Sequence, residues 1–110
     1  RLRIKYPEQF RTHFNTQPLS PLYLADKTNL IDIMEMVSGL FLSKDIVYQN
    51  GKPAYLVDLA KAFEWLFNIR IGDCYQKHED VIRRKPGKLT GFLNGLVELI
   101  KKEHDKKGYR

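Results

Sequence analysis

Residues 55–85 read YLVDLAKAFEWLFNIRIGDCYQKHEDVIRRK, and this stretch decides the fold. Leu56, Leu59, Ala60, Phe63, Leu66 and Phe67 recur at helical spacing, so Tyr55–Asn68 predicts an amphipathic helix with one apolar face. Pro53 sits at its start, where a missing N–H costs nothing. The break Ile69-Arg70-Ile71-Gly72 follows. A second helix opens at Asp73, with Gln76 three residues on in a capping-box arrangement, and runs into Arg83-Arg84-Lys85. Tyr75, His78, Val81 and Ile82 make its apolar side, and Gln76, Lys77, Asp80, Arg83 and Arg84 are left facing out. A helix, a tight glycine-containing turn and a second helix ending in unopposed positive charge is the pattern of a helix-turn-helix.

Working outward, Leu30, Ile33, Met34, Val37, Leu40 and Phe41 predict an earlier helix, capped from Asp26–Asn29. Beyond Pro86-Gly87, Thr90 can cap a last amphipathic helix that carries Leu89, Phe92, Leu93, Leu96, Leu99 and Ile100 and fades into a charged tail. Leu22-Tyr23-Leu24 and Ile46-Val47-Tyr48 are short strand candidates, the latter before a turn at Gln49–Lys52; their pairing is not legible. Trp65 lies off the helical stripe, and packing is its expected role. The expected fold is mainly α, a helix-turn-helix or winged-helix-like domain of about four helices with a small β component. It spans residues 22–110. Residues 1–21 hold three of the five prolines and read as an irregular segment or linker, apart from two turns between Glu8 and Phe14. Because the chain begins with Arg1, it reads as part of a longer protein.

With 110 residues and 43% apolar composition, one globular domain is the default. The formal charge of +6 is unevenly spread: residues 1–21 carry +3, residues 22–69 carry −2 and residues 70–110 carry +5. The ends are basic and the middle reads as scaffold, which favours a polyanionic partner. A single cysteine, Cys74, leaves no internal disulfide and suits a reducing cytoplasm. No apolar run reaches the length of a membrane span, so no membrane partner is expected.

The stretch Arg83–Thr90, RRKPGKLT, has four basic residues and no acid, with a hydroxyl at a helix start. Arg83, Arg84, Lys85 and Lys88 would neutralise phosphates on double-stranded DNA, and the amides beside Thr90 could hold one more. The same stretch reads equally as a solvated basic loop. Base contacts would fall to Gln76, Lys77, Asp80 or Arg83, since Gln and Arg make bidentate contacts to base edges, with Arg70 and Tyr75 as outer candidates. His13, His78 and His104 lie far apart without metal-ligand spacing, so neither a metal nor a cofactor is expected. Gly87-Lys88-Leu89-Thr90 echoes the end of a P-loop but lacks the upstream glycine and strand. No titratable pair is placed for acid–base work, so no enzyme is expected and no small-molecule substrate either. The competing reading is a non-enzymatic interaction domain docking on a partner, or on an upstream region, through Trp65, Phe63 or the last helix. The oligomeric state is left open, a homodimer included.

DKTNLIDIMEMV from Asp26, DLAKAFEWLFNIRIGDCYQ from Asp58 and IRRKPGKLTGFLNGLVELI from Ile82 together resemble the C-terminal domain of the RteC family. That family regulates excision and transfer of integrated conjugative and mobilizable elements, including tetracycline-resistance elements, in Bacteroides-type bacteria. The resemblance covers about residues 22–103, and Phe67–Asp73 is its most specific piece. It implies a transcriptional regulator with a winged-helix-like DNA-binding domain that activates excision genes. In it Asp73–Arg84 approach the DNA, with Arg83, Arg84, Lys85 and Lys88 as the basic run. Pro86-Gly87 departs from the family's usual linker and would shorten or redirect the preceding helix.

Overall fold

The computed structural model describes residues 19–109, and the readings made for residues 1–18 lie outside them. Four helices are present among the described residues: α1 Leu30–Ser43, α2 Leu56–Phe67, α3 Cys74–Ile82 and α4 Gly91–Lys107. They match the four predicted helical segments in order and position. No sheet accompanies them. β structure among the described residues is confined to an isolated antiparallel bridge between Val47 and Pro53.

That bridge answers the pairing left open by the sequence and corrects the start of the second helix. Ile46-Val47-Tyr48 folds back on its own turn, with the Tyr48 amide donating to the Lys52 carbonyl and Ala54 to Ile46. Gly51 supplies the positive φ of 88° that the turn requires. Pro53 is consumed by this bridge, so α2 begins three residues later, with Tyr55 as its cap. The Tyr48 hydroxyl then fastens the turn to α2 by donating to the Asp58 carboxylate and accepting the Tyr55 amide at 3.0 Å. With so little chain in extended form, the described residues contain no wing.

The core is where α1, α2 and α3 meet. Met34 and Val37 from α1, Leu56, Leu59 and Ala60 from α2, Ile71 from the break, and Cys74 and Val81 from α3 form one buried cluster. Phe41, Phe63 and Ile69 pack around it. Helical spacing explains this set: each helix contributes positions three or four apart, so its side chains fall on one stripe. α1 is central because it packs against the other three helices, whereas α4 leans chiefly on α1.

This placement buries two polar residues of α1, Glu35 facing Leu93 of α4 and Ser38 facing His78 of α3. α4 lies against the Glu35 side of α1: the Glu35 carboxylate accepts the Leu93 amide at 2.8 Å, and a Cβ added at Gly39 would make ordinary van der Waals contact with Leu93 Cδ1 at 3.8 Å.

Candidate nucleic-acid interface

The α2–α3 unit starts from the end of α2. Asn68 closes that helix in the left-handed region (φ 54°), its amide donating to the Glu64 and Trp65 carbonyls. Such a conformation favours Gly or Asn, and Asn brings a side chain to use. Glu64 reaches across the break and accepts the Ile71 amide at 2.7 Å, while Ile71 enters the core. Gly72, at φ 81°, turns the chain into α3. The break runs over residues 68–73, longer than the turn of about three or four residues in the familiar motif.

Asp73 caps α3 as its sequence predicts: one carboxylate oxygen accepts the amides of Tyr75 and Gln76, both at 3.1 Å. The reciprocal half of the box is absent, because the Gln76 amide points along the helix and donates to Asp80 at 2.9 Å. The inward stripe of α3 is Cys74, His78 and Val81. His78 Nδ1 lies 2.8 Å from the buried Ser38 hydroxyl, and its ring meets Phe41 edge-on. Tyr75 and Ile82, expected on the apolar side, are exposed. Their positions are set by Cys74 entering the core, which rotates the stripe by one residue from its predicted centre.

The predicted site residues fall into three groups. Gln76, Asp80 and Arg83 are exposed and interlinked, with Arg83 Nη2 3.5 Å from Asp80 Oδ1. Exposed pairs of this kind contribute little, so a base edge or phosphate can replace them. Lys77 is half-buried, since its register places it beside the Cys74–Val81 stripe rather than on the outer face. With Glu79 also exposed, the outward face of α3 is not basic.

The second group is the loop after α3. Lys85 and Lys88 are exposed and form no ion pair among the described residues. Thr90 stands at the N-terminus of α4 without a side-chain capping bond. Pro86-Gly87 does end α3 early: the helix stops at Ile82, and a turn in which the Lys88 amide donates to the Lys85 carbonyl at 2.8 Å carries the basic residues. Arg70, in the break, is exposed on the same footing.

Arg84 is alone in the third group, and here the outward orientation read from the sequence is corrected. Its side chain is only 19% exposed. Nη1 lies 2.7 Å from Oε1 of Glu35, whose side chain is 2% exposed, and Nη2 lies 3.7 Å from Asp32. Continuing the α3 stripe from Val81 by three residues points Arg84 at α1. Neither Glu35 nor Asp32 stands out in the sequence, since a carboxylate off the apolar stripe reads as solvated.

The other surface of note is α4, which has no buried residue along its length. Phe92, Leu93 and Leu96 are half-buried, whereas Leu99 and Ile100 are 64% and 71% exposed. Among the described residues no group of three or more His, Cys, Asp or Glu is placed to hold a metal, and no helix is long and apolar enough to cross a membrane.

A core of three helices, a capped α2–α3 corner and a cationic loop leading into a sparsely packed fourth helix define a small all-helical domain. The sequence pattern of the RteC protein family matches residues 7–107, nearly the whole chain, and the protein belongs to that family. The match reaches upstream into residues 7–21, which the recognisable motifs leave out. Neither a curated protein nor a solved structure matches the chain.

Proposed function

We propose that this domain binds double-stranded DNA and belongs to a transcriptional regulator that promotes excision and transfer of an integrated mobile element. Membership of the RteC family fits a role in conjugative-element regulation. The observation that carries the DNA reading is the loop after α3, where Lys85 and Lys88 stand exposed without a partner carboxylate beside the capped α2–α3 unit. Free cations at that position supply phosphate contacts, which fix register and orientation on a duplex. Arg70 adds a third from the break. Gln76 and Arg83 are the base-reading candidates, with Asp80 orienting both. Arg84 is excluded from the phosphate set because Glu35 already holds it.

The test is binding of the 110-residue chain to DNA upstream of its own element's excision genes, against a shuffled duplex of equal length, at two salt concentrations. The expected result is preferential binding that weakens with salt. Replacing Lys85 and Lys88 with Ala should then flatten the dependence of log K on log salt by about 2, given roughly 0.9 per neutralised phosphate. Failure to bind either duplex overturns the reading and moves attention to the exposed apolar residues of α4.

A further inference from the structure

Glu35 is an acidic side chain in the interior of a helix, buried to 2% exposure, and both its oxygens are engaged. Oε1 accepts Arg84 Nη1 at 2.7 Å and Oε2 accepts the Leu93 amide at 2.8 Å. The same Arg84 nitrogen donates to the Lys88 carbonyl at 3.3 Å. The pair therefore joins α1 to the start of the basic loop at Arg84, to its middle at Lys88 and to the first turn of α4 at Leu93.

The loop's own backbone bonds are local: one at 2.8 Å, Lys88 to Lys85, and two at 3.4 Å, Leu89 to Pro86 and Gly91 to Lys88, while Pro86 has no amide to donate. None of them ties the loop to α1, which the Glu35–Arg84 pair does. Burying an ion pair is a poor way to gain stability, since well-packed apolar side chains of the same volume usually do as well or better. What a fully satisfied carboxylate–guanidinium pair supplies instead is a single geometry.

We infer that Glu35 and Arg84 are a positioning pair for the DNA surface: they fix the spacing of Lys85 and Lys88 relative to α3 without touching the DNA. The inference rests on the DNA-binding reading above. It makes a prediction of unexpected sign. Glu35→Gln raises the net charge by one and leaves Arg84 only the longer ion-pair contact to Asp32 at 3.7 Å, so if Arg84 were itself a phosphate anchor, or if only net charge mattered, binding would be unchanged or tighter. A positioning role requires binding to weaken, by about eightfold at 0.1 M salt for each phosphate that the displaced loop no longer neutralises, and the salt slope to flatten although no cation was removed.

The experiment compares the chain with Glu35→Gln, Arg84→Gln and the double variant, each bound to the same duplex at two salt concentrations and at a temperature where circular dichroism shows it folded. The expected outcome is similar weakening in both single variants and a double variant no weaker than either. Tighter or unchanged binding in Glu35→Gln overturns the proposal, and so do single effects that add in the double variant. Should Glu35→Gln not fold, Arg84→Lys decides. It keeps the charge but loses the planar guanidinium whose Nη1 serves Glu35 and Lys88 while Nη2 faces Asp32, so weaker binding supports positioning and unchanged binding refutes it. Absence of DNA binding by the unaltered chain refutes the underlying reading. Normal binding with unresponsive Glu35 and Arg84 variants refutes this inference alone.

Discussion

Asn68 and Ser20, 48 positions apart, are joined by a hydrogen bond from the Asn68 side-chain amide to the Ser20 carbonyl at 2.7 Å, and the same nitrogen donates to Leu22 at 2.9 Å. The residue that ends α2 thus also holds the segment leading into the domain. Ser20 is buried beneath it. Asn68→Gly keeps the left-handed backbone but removes both bonds, and a cost of about 1–3 kcal/mol is expected. Asn68→Ala adds the strain of a Cβ in that region, about 1–2 kcal/mol more. Asn68→Asp should also be worse than Gly, because its oxygens would face two carbonyl oxygens. Urea unfolding of the three variants checks the order; a midpoint of Asn68→Gly equal to that of the unaltered chain would show that the tie contributes nothing.

The cap of α3 separates two helix-start devices that look alike in sequence. Asp73 accepts two amides, so Asp73→Ala should destabilise the domain by about 1 kcal/mol. Gln76 does not reach back to residue 73, so Gln76→Ala should stay within a few tenths of a kcal/mol, the size of an exposed side-chain pair one turn apart. A reciprocal box would make both substitutions costly. Thermal unfolding of the two variants distinguishes the cases.

The helices are legible in the sequence because each carries a strong apolar period, and Asp73 because a carboxylate before an apolar-periodic run has one obvious use. That no sheet forms among the described residues is not legible, since Ile46-Val47-Tyr48 has β-prone residues but its fate depends on where Pro53 and the Tyr48 hydroxyl go. The basic run misleads at one position. Arg83 and Arg84 are equivalent by charge, and only the helical phase set by Cys74 and Val81 turns one outward and the other onto Glu35. Glu35 itself is hidden for a similar reason: a carboxylate off the apolar stripe reads as solvated until α4 is known to cover that side of α1.

Cys74 offers a test by pH. Burial pushes its thiol above the ordinary value of 9.0, with the carboxylates of Asp73 and Glu64 acting in the same direction and backbone hydrogen bonds opposing. The folded chain therefore keeps its proton where the unfolded chain has begun to lose it. This contribution to stability is fully present below the unfolded value and is lost as pH rises through the raised folded value. Cys74→Ala should abolish that alkaline loss while costing some packing at neutral pH. Stability profiles of the two proteins from about pH 8 to about pH 10, on either side of the ordinary thiol value, check the sign, and parallel profiles would refute it. Alkylation of Cys74 by iodoacetamide should be slow in the folded protein and rapid in urea.

The uneven packing of α4 sets a gradient along the molecule. Met34 is fully enclosed where α1 meets α2 and α3, so Met34→Ala should cost about 2–5 kcal/mol. Leu99→Ala, on the outer reach of α4, should stay within about 0.5 kcal/mol. An unsupported helical stretch of this length is marginal in water, because tertiary packing rather than propensity holds most helices. Amides of residues 101–107 should accordingly exchange by local fraying, whereas those of Met34 and Val37 exchange only when the whole domain opens. Hydrogen exchange followed by mass spectrometry gives both rates. Protection of residues 101–107 equal to that of Val37 would contradict the gradient, and protection that grew with protein concentration would mean that a second copy covers Leu99 and Ile100.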